Sequence, residues 1–441
     1  YDNSKTCEEI FGQFIRSELS WANDELIDRY VIASKQPLLD NPDVYRIDLV
    51  ETFEPLGMEI DYGQVEWDED ITADDVIEEM GLGWNLGNTL DAFNNTQNQG
   101  LSSETVWGNP ITTEEMIDEI VDKGFKAVRI PVTWHNHLID RNYTIDPIWM
   151  ARVKTVVDWC INKGLYVILN THHDNANYRA FGSSYGVGYY PAIKDMVESE
   201  KFLYNVWKQI AYAFNEGYDH HLVFEALNEP RLRGLNNEWW YLKGDTTCKE
   251  AEVALNEYNQ LIVKAIRETA GNNALRFIMV SPLAAGLDFA INSNFIIPND
   301  SKYNKNNKLI VSIHLYSPYD FTMNNNMNYK KFTEEYEEEI DKQLKILYQL
   351  FVKKGYNVII GEFGSINKNN TQDRLAWGIH YIETARKYHM TPFLWDNGVW
   401  DNSKTCDNTF GLFKRKDLSW INDRFIDELI DEGDTVFHKI R

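Results

Sequence analysis

The sequence predicts an α/β chain folded as a (β/α)8, or TIM, barrel, on three observations. Eight short apolar runs rich in β-formers recur along it, helix-period segments separate them, and no GxGxxG turn follows the first run, which argues against a doubly wound open sheet. In order, the runs are GLGWNL (81–86), KAVRIPV (126–132), LYVILN (165–170), LVFEALN (222–228), RFIMVS (276–281), KLIVSIH (308–314), NVIIGEF (357–363) and TPFLWD (391–396). Near-continuous apolar strands are buried on both faces, as in a parallel sheet covered by helices. Between them lie TEEMIDEIVDKG, IWMARVKTVVDWCINKG, KFLYNVWKQIAYAF, AEVALNEYNQLIVKAIRETAG and EEYEEEIDKQLKILYQLFVKKG, several closed by the glycine that helix C-termini favour.

Ahead of the barrel, residues 2–28 (DNSKTCEEIFGQFIRSELSWANDELID) match 401–427 (DNSKTCDNTFGLFKRKDLSWINDRFID) without a gap at more than half of their positions. Such similarity marks a duplication. The expected organisation is therefore residues 1–34 as the tail of an upstream tandem copy, 35–70 as an acidic connector, and 71–441 as the barrel. The rival reading has the first segment swapping into the socket of its twin in a neighbouring molecule.

Composition narrows the partners. The 441 residues are 43% hydrophobic and 25% charged, with a formal charge of −25, which repels phosphate backbones and anionic lipid. Nucleic acid and membrane are not expected partners, and no apolar run approaches the roughly 20 residues needed to span a bilayer. The opening YDNSKTCEEI lacks the basic start and apolar centre of a signal peptide. Acceptor sequons at Asn94, Asn142, Asn299 and Asn369 favour a secreted, extracellular protein. Cys7, Cys160, Cys248 and Cys406 are too widely spaced for a metal knuckle or redox pair and are expected to be structural or free.

In a (β/α)8 barrel the functional site lies at the C-terminal ends of the strands, and there this sequence gathers its polar residues. Strand two ends near Arg129, three in Asn170, His172 and His173, four in Asn228 and Glu229, six in His314 and Tyr316, seven in Glu362 and eight in Trp395. Any one of these has a structural explanation; six strands together point to a site. Glutamates on strands four and seven would face one another across the mouth, as glycoside hydrolysis requires: one carboxyl protonates the departing oxygen while the other attacks the sugar carbon. Arg129 beside one of them would hold it ionised, leaving the other to keep its proton.

A metal site from His172, His173 and Asp174 is not expected, because adjacent residues at a strand end point in opposite directions. Two carboxylates suffice for this chemistry, so no metal or organic cofactor is expected. Sugar rings stack apolar C–H faces on aromatics, and 13% of the chain is aromatic. Trp239 and Trp240, in a polar loop, are candidate substrate-wall residues; His173 and Asn85 are further candidate sugar ligands; Trp84 and Trp134 fit core and cleft equally.

The ordered set GLGWNLGNTLDA, VRIPVTW, NTHHD, FEALNEP, SIHLYSPYDF, GEFG and FLWDNG resembles the glycoside hydrolase family 5 cellulases, in particular their endoglucanase branch with broad β-glucan activity, over about residues 71–430. The resemblance implies an endo-acting, retaining β-1,4-glucanase with Glu229 as acid/base and Glu362 as nucleophile. It further implies that Asn228 binds the 2-hydroxyl at the cleavage point, that Arg129 and Tyr316 orient Glu362, that His172 and His314 complete the polar network, and that Trp395 forms the sugar's hydrophobic floor. Cellulose, mixed-linkage glucan and xyloglucan are the expected substrates. An endo-β-mannanase is the nearest alternative, since loops reading the 2-hydroxyl decide between the two. A non-catalytic carbohydrate-binding barrel would have lost one of Glu229, Glu362 and Arg129, and all three are present. The duplication suggests a larger multi-domain polypeptide.

Overall fold

The computed structural model describes residue 65 and residues 67–94, 100–176, 187–302 and 308–435. The duplicated tail 1–34 and nearly all of the 35–70 connector lie outside these residues. All eight apolar runs become strands: β1 (Gly83–Leu86), β2 (Ala127–Ile130), β3 (Tyr166–Asn170), β4 (Leu222–Glu225), β5 (Ile278–Val280), β6 (Leu309–His314), β7 (Asn357–Phe363) and β8 (Met390–Asp396). Each pairs in parallel with the next, and β8 returns to β1 to close the barrel.

Among the described residues, the α-helices of six residues or more are α1 (Ala73–Glu79), α2 (Glu114–Lys123), α3 (Pro147–Asn162), α4 (Met196–Ala213), α5 (Thr246–Arg267), α6 (Leu287–Asn292), α7 (Glu334–Leu350), α8 (Thr371–Lys387) and α9 (Asp423–Gly433). The five segments read from the sequence become α2 to α5 and α7. At the end of α2 the expected glycine, Gly124, takes the left-handed conformation (φ 108°) that side chains resist.

Strand alternation sorts the core into two layers. Outward-facing Trp84, Val128, Val167, Phe224, Ile278, Val311, Ile360 and Leu394 pack under the helices in the larger apolar cluster. Inward-facing Ala127, Ile168, Val223, Met279, Ile310, Ile359 and Phe393 fill the lower lumen, sealed beneath by Val76 and Ile77 of α1, by Met80 just after it and by Trp67. Gly83 is required here, because a Cβ would lie 2.2 Å from the Phe393 ring. One step further up five of the strands, the inward positions turn polar: Asn85, Arg129, Asn170, Glu225 and Ser312, all fully buried. The barrel thus has an apolar base and a polar mouth.

Residues 401–427, the described copy of the duplication, close the barrel's outer wall. Phe413 and Trp420 pair in a short antiparallel hairpin, and Phe413 meets the Trp84 ring at 6.4 Å. Asn422 then caps α9, whose Phe425, Ile426 and Leu429 are buried. Asp396, at the end of β8, anchors this seal. Its carboxylate accepts from the Trp84 indole and from the Leu412 and Phe413 amides.

Candidate active site

Arg129 organises the mouth. Alternation on β2 points it inward, and its buried guanidinium donates to Glu225 Oε2 (2.6 Å from Nη2), Glu362 Oε1 (2.8 Å), Asn85 Oδ1 (2.9 Å) and Asn228 Oδ1 (2.6 Å). A buried charge needs this degree of compensation to persist. Glu225 is equally enclosed: Asn170 donates to its Oε2 at 2.8 Å and Ser312 to its Oε1 at 2.6 Å. Burial works against its ionisation, but Arg129 and His314 outweigh that and hold its carboxyl down at about 2.

Glu362 reaches the mouth through an irregularity. On β7, Ile360 faces outward and Gly361 inward, so plain alternation would send Glu362 out. The register with β8 instead slips between Ile360 and Phe363, and Glu362 pairs with His314. The bulge aims both Gly361 and Glu362 at the lumen. Gly361 suits this close packing, since a Cβ there would sit 3.0 Å from His314 Nε2 and press on the ring. Glu362 then accepts from Arg129 on one oxygen and from the Tyr316 hydroxyl on the other, at 2.8 Å each. Burial and the charge of Glu362 keep the Tyr316 phenol protonated and therefore a donor.

Glu229 lies opposite, and here the sequence reading needs correction. Strand β4 ends at Glu225, so Asn228 and Glu229 belong to the loop beyond it and not to the strand end. The loop is anchored by the Asn228 amide, which donates to the Thr171 carbonyl at 3.0 Å. Glu229 Oε1 lies 2.9 Å from His314 Nδ1, and Glu229, His314 and Glu362 each place one polar atom within 4.8 Å of the others.

These groups share their protons. Burial raises Glu362, with the charge of Glu229 adding to it and His314 and Arg129 opposing. Glu229 is also disfavoured by burial, but the hydrogen bond and charge of His314 bring it below the usual carboxylate range. His314 pays the burial cost of its own cation, yet the charge of Glu362 and the contacts with Glu225 and Glu229 lift it to about 9. These directions run opposite to the expected split, in which the carboxyl beside Arg129 stays ionised and the other keeps its proton: Glu362 is raised and Glu229 lowered, because the cation nearest Glu229 is His314, 2.9 Å away.

The other expected site residues divide. His172 accepts at Nδ1 from the Asn170 amide (3.0 Å) and lies parallel to Trp395, with ring centroids 5.9 Å apart. Trp395 is partly exposed at the mouth. Trp239 and Trp240 are each 50% exposed. Asn85 does not face a sugar: it is fully buried, its nitrogen donates to the Gly361, Phe393 and Leu394 carbonyls, and its oxygen accepts from Arg129. Trp84 and Trp134 are core, at 1% and 0% exposure. The histidine pair is likewise not a pair of opposed strand residues. Strand β3 ends at Asn170, so His172 and His173 lie on the loop and their ring centroids are only 4.4 Å apart. They approach Asp91, while Asp174 accepts from the Trp134 and His135 amides.

Glu225 escaped the sequence reading, although a carboxylate at an inward parity position of an apolar strand was the available signal. Among the described residues Cys160 and Cys248 are buried free thiols and Cys406 is a free thiol; Cys7 lies outside them. Among the described residues no helix is long and apolar enough to cross a membrane.

A closed parallel barrel with two facing carboxyls, one bracketed by arginine and tyrosine and the other by histidine, has the pair of groups that glycoside hydrolases use. The model of the cellulase family, glycosyl hydrolase family 5, matches residues 90–401, and the chain belongs to that family. It is 41% identical over 370 residues to Endoglucanase A of Clostridium longisporum, aligning with 81% of this chain and 65% of that protein. It is 40% identical to the cellulase/esterase CelE of Acetivibrio thermocellus, of which it spans 40%, and 41% identical to Endoglucanase 1 of Ruminococcus albus, of which it spans 78%. Two of these relatives are thus longer than the matched region by a third or more. Among solved structures, a broad specificity endoglucanase from Ruminococcus champanellensis with bound cellotriose superposes with a TM-score of 0.74 at 38% identity, covering 84% of this chain and all of that one. A family 5 lichenase from a Caldicellulosiruptor species, in complex with cellotetraose, superposes at 0.76 with 36% identity, covering 84% and 97%.

Proposed function

We propose that the chain is an endo-acting, retaining β-1,4-glucanase that cleaves cellulose and related β-glucans, mixed-linkage glucan and xyloglucan among them. One observation carries the reading: carboxylate oxygens of Glu229 and Glu362 lie within 4.8 Å of each other. That supports retention, which uses carboxyls about 5–5.5 Å apart, whereas inversion needs about 6.5–9.5 Å to admit a water. The cellotriose and cellotetraose in the relatives' structures support a β-glucan substrate.

In this mechanism Glu362, ionised and held by Arg129 and Tyr316, attacks C1 of the sugar while the C1–O bond breaks. The departing oxygen takes the proton of Glu229. As Glu362 becomes an ester its charge disappears, and with it the strongest attraction holding a proton on His314. The proton shared across the 2.9 Å hydrogen bond is thereby released toward Glu229 and the leaving oxygen. Water then attacks C1, Glu229 accepts its proton, and Glu362 leaves as carboxylate. Asn228 binds the 2-hydroxyl, His172 and His314 complete the network, Trp395 forms the floor, and Trp239, Trp240 and His173 line the wall. The chemistry calls for no cofactor.

We place the enzyme outside the cell, where its polymeric substrate is, as part of a longer tandem polypeptide whose upstream barrel ended in residues 1–34. The test is reducing-end release by wild type and Glu362→Ala on carboxymethyl cellulose, mixed-linkage glucan, xyloglucan and mannan. Glucan cleavage that vanishes in the variant is expected; cleavage of mannan alone would refute the substrate assignment.

A further inference from the structure

Arg231 stands two residues beyond Glu229, with no role in the steps above. Its side chain is 13% exposed and fixed from several sides. Its backbone amide donates to Asn175 Oδ1 at 2.7 Å, its Nε to Glu238 Oε1 at 2.7 Å, and its Nη1 to the Glu229 carbonyl at 3.0 Å. Glu238 is itself anchored by the Gly234 amide at 2.8 Å. The guanidinium lies 4.3 Å from the centroid of the half-exposed Trp239 ring, and Nη1 is 3.6 Å from Glu229 Oε2. Glu229 is therefore gripped at both oxygens, Oε1 facing His314 and Oε2 facing Arg231.

We infer that Arg231 is a positioning residue for Glu229, braced by Glu238 and stacked on Trp239 so that the aromatic wall and the acid move as one unit. This rests on Glu229 being the acid/base. A cation at 3.6 Å favours the ionised carboxylate, and Arg231 is among the causes that lower Glu229. The other charged or titratable groups facing Glu229 are His314 on β6, Glu362 on β7, His173 beyond β3, and the phenols of Tyr316 and Tyr189. Arg231 approaches both Glu229 and the Trp239 ring. A sugar stacked on Trp239 would shield Arg231 from water and strengthen its hold on Glu229.

The test compares kcat/KM against pH for wild type, Arg231→Met, Arg231→Lys, Trp239→Ala and Glu229→Ala, on a soluble β-glucan and on dinitrophenyl β-cellobioside, whose leaving group departs without a proton. With Arg231→Met the basic limb on glucan should move up by about 1 pH unit and kcat/KM fall roughly tenfold, while the dinitrophenyl substrate changes little. Arg231→Lys should keep the limb near that of wild type, and Trp239→Ala should move it part of the way. An unmoved limb in Arg231→Met and Trp239→Ala, or equal losses on both substrates, would overturn the inference. Should Glu229→Ala be equally inactive on both substrates, the acid/base assignment itself fails.

Discussion

Arg129 serves two carboxylates: Glu362, the proposed nucleophile, and Glu225, which is fully enclosed. Because Glu225 is fully buried, removing either partner leaves an uncompensated charge in the barrel. Glu225→Ala should cost about 3–5 kcal/mol of stability in chemical denaturation, and turnover should fall with it because Arg129 loses the anchor that aims it at Glu362. The same groups set a pH window. Glu225 protonates at 4.5 in an unfolded chain and about 2 when folded, so its stabilisation is complete above 4.5 and drains as pH falls toward 2. His314 runs the other way: its folded value of about 9 exceeds the unfolded 6.5, so its contribution is complete below 6.5 and lost as pH rises to 9. Denaturation midpoints should therefore be highest between pH 4.5 and 6.5 and fall on both sides, and the alkaline fall should disappear in His314→Gln.

At the scale of elements, apolar recurrence explains what could be read without coordinates and what could not. The recurrence of near-continuous apolar runs located all eight strands and placed Arg129 and His314 near their C-terminal ends. It could not foresee the β7 bulge, which depends on pairing with both β6 and β8, nor the loop geometry that brings His172 and His173 together. Asn85 was misjudged for a related reason: its position was legible, but its three carbonyl partners come from β7 and β8, more than 270 residues away in sequence. The bulge carries its own prediction. Gly361→Ala should cost only about 1–3 kcal/mol, the usual range for overpacking, yet depress kcat severely by pressing a methyl on His314 and displacing Glu362. Matched stability and activity measurements on that variant would separate the two effects; full activity would show that the bulge does not set the nucleophile.

For the whole molecule, the duplication and the barrel bear on each other. Residues that seal the barrel in the C-terminal copy have counterparts in the first 28: Phe413, Arg415, Trp420, Asn422 and Ile426 align with Phe14, Arg16, Trp21, Asn23 and Ile27. Arg415 is buried and donates to the Gly87 and Asp396 carbonyls, so its retention in the first copy suits a segment made to close a barrel. One barrel needs one such segment, and residues 401–427 already supply it here. Deleting residues 1–34 should therefore leave turnover and melting temperature nearly unchanged, whereas Arg415→Ala should lower the melting temperature by several degrees, as expected for about 2 kcal/mol or more from a buried arginine's lost bonds. A large fall on deletion would mean that the first segment belongs to this fold.

The central claim is that Glu362 attacks C1 while Glu229 gives and then takes a proton, and its stereochemical consequence is directly observable. Proton NMR of cellohexaose hydrolysis, recorded before mutarotation equilibrates the products, reports the configuration of each new reducing end. Two displacements predict that the β-anomer appears first; first appearance of the α-anomer would mean direct attack by water and would contradict the account.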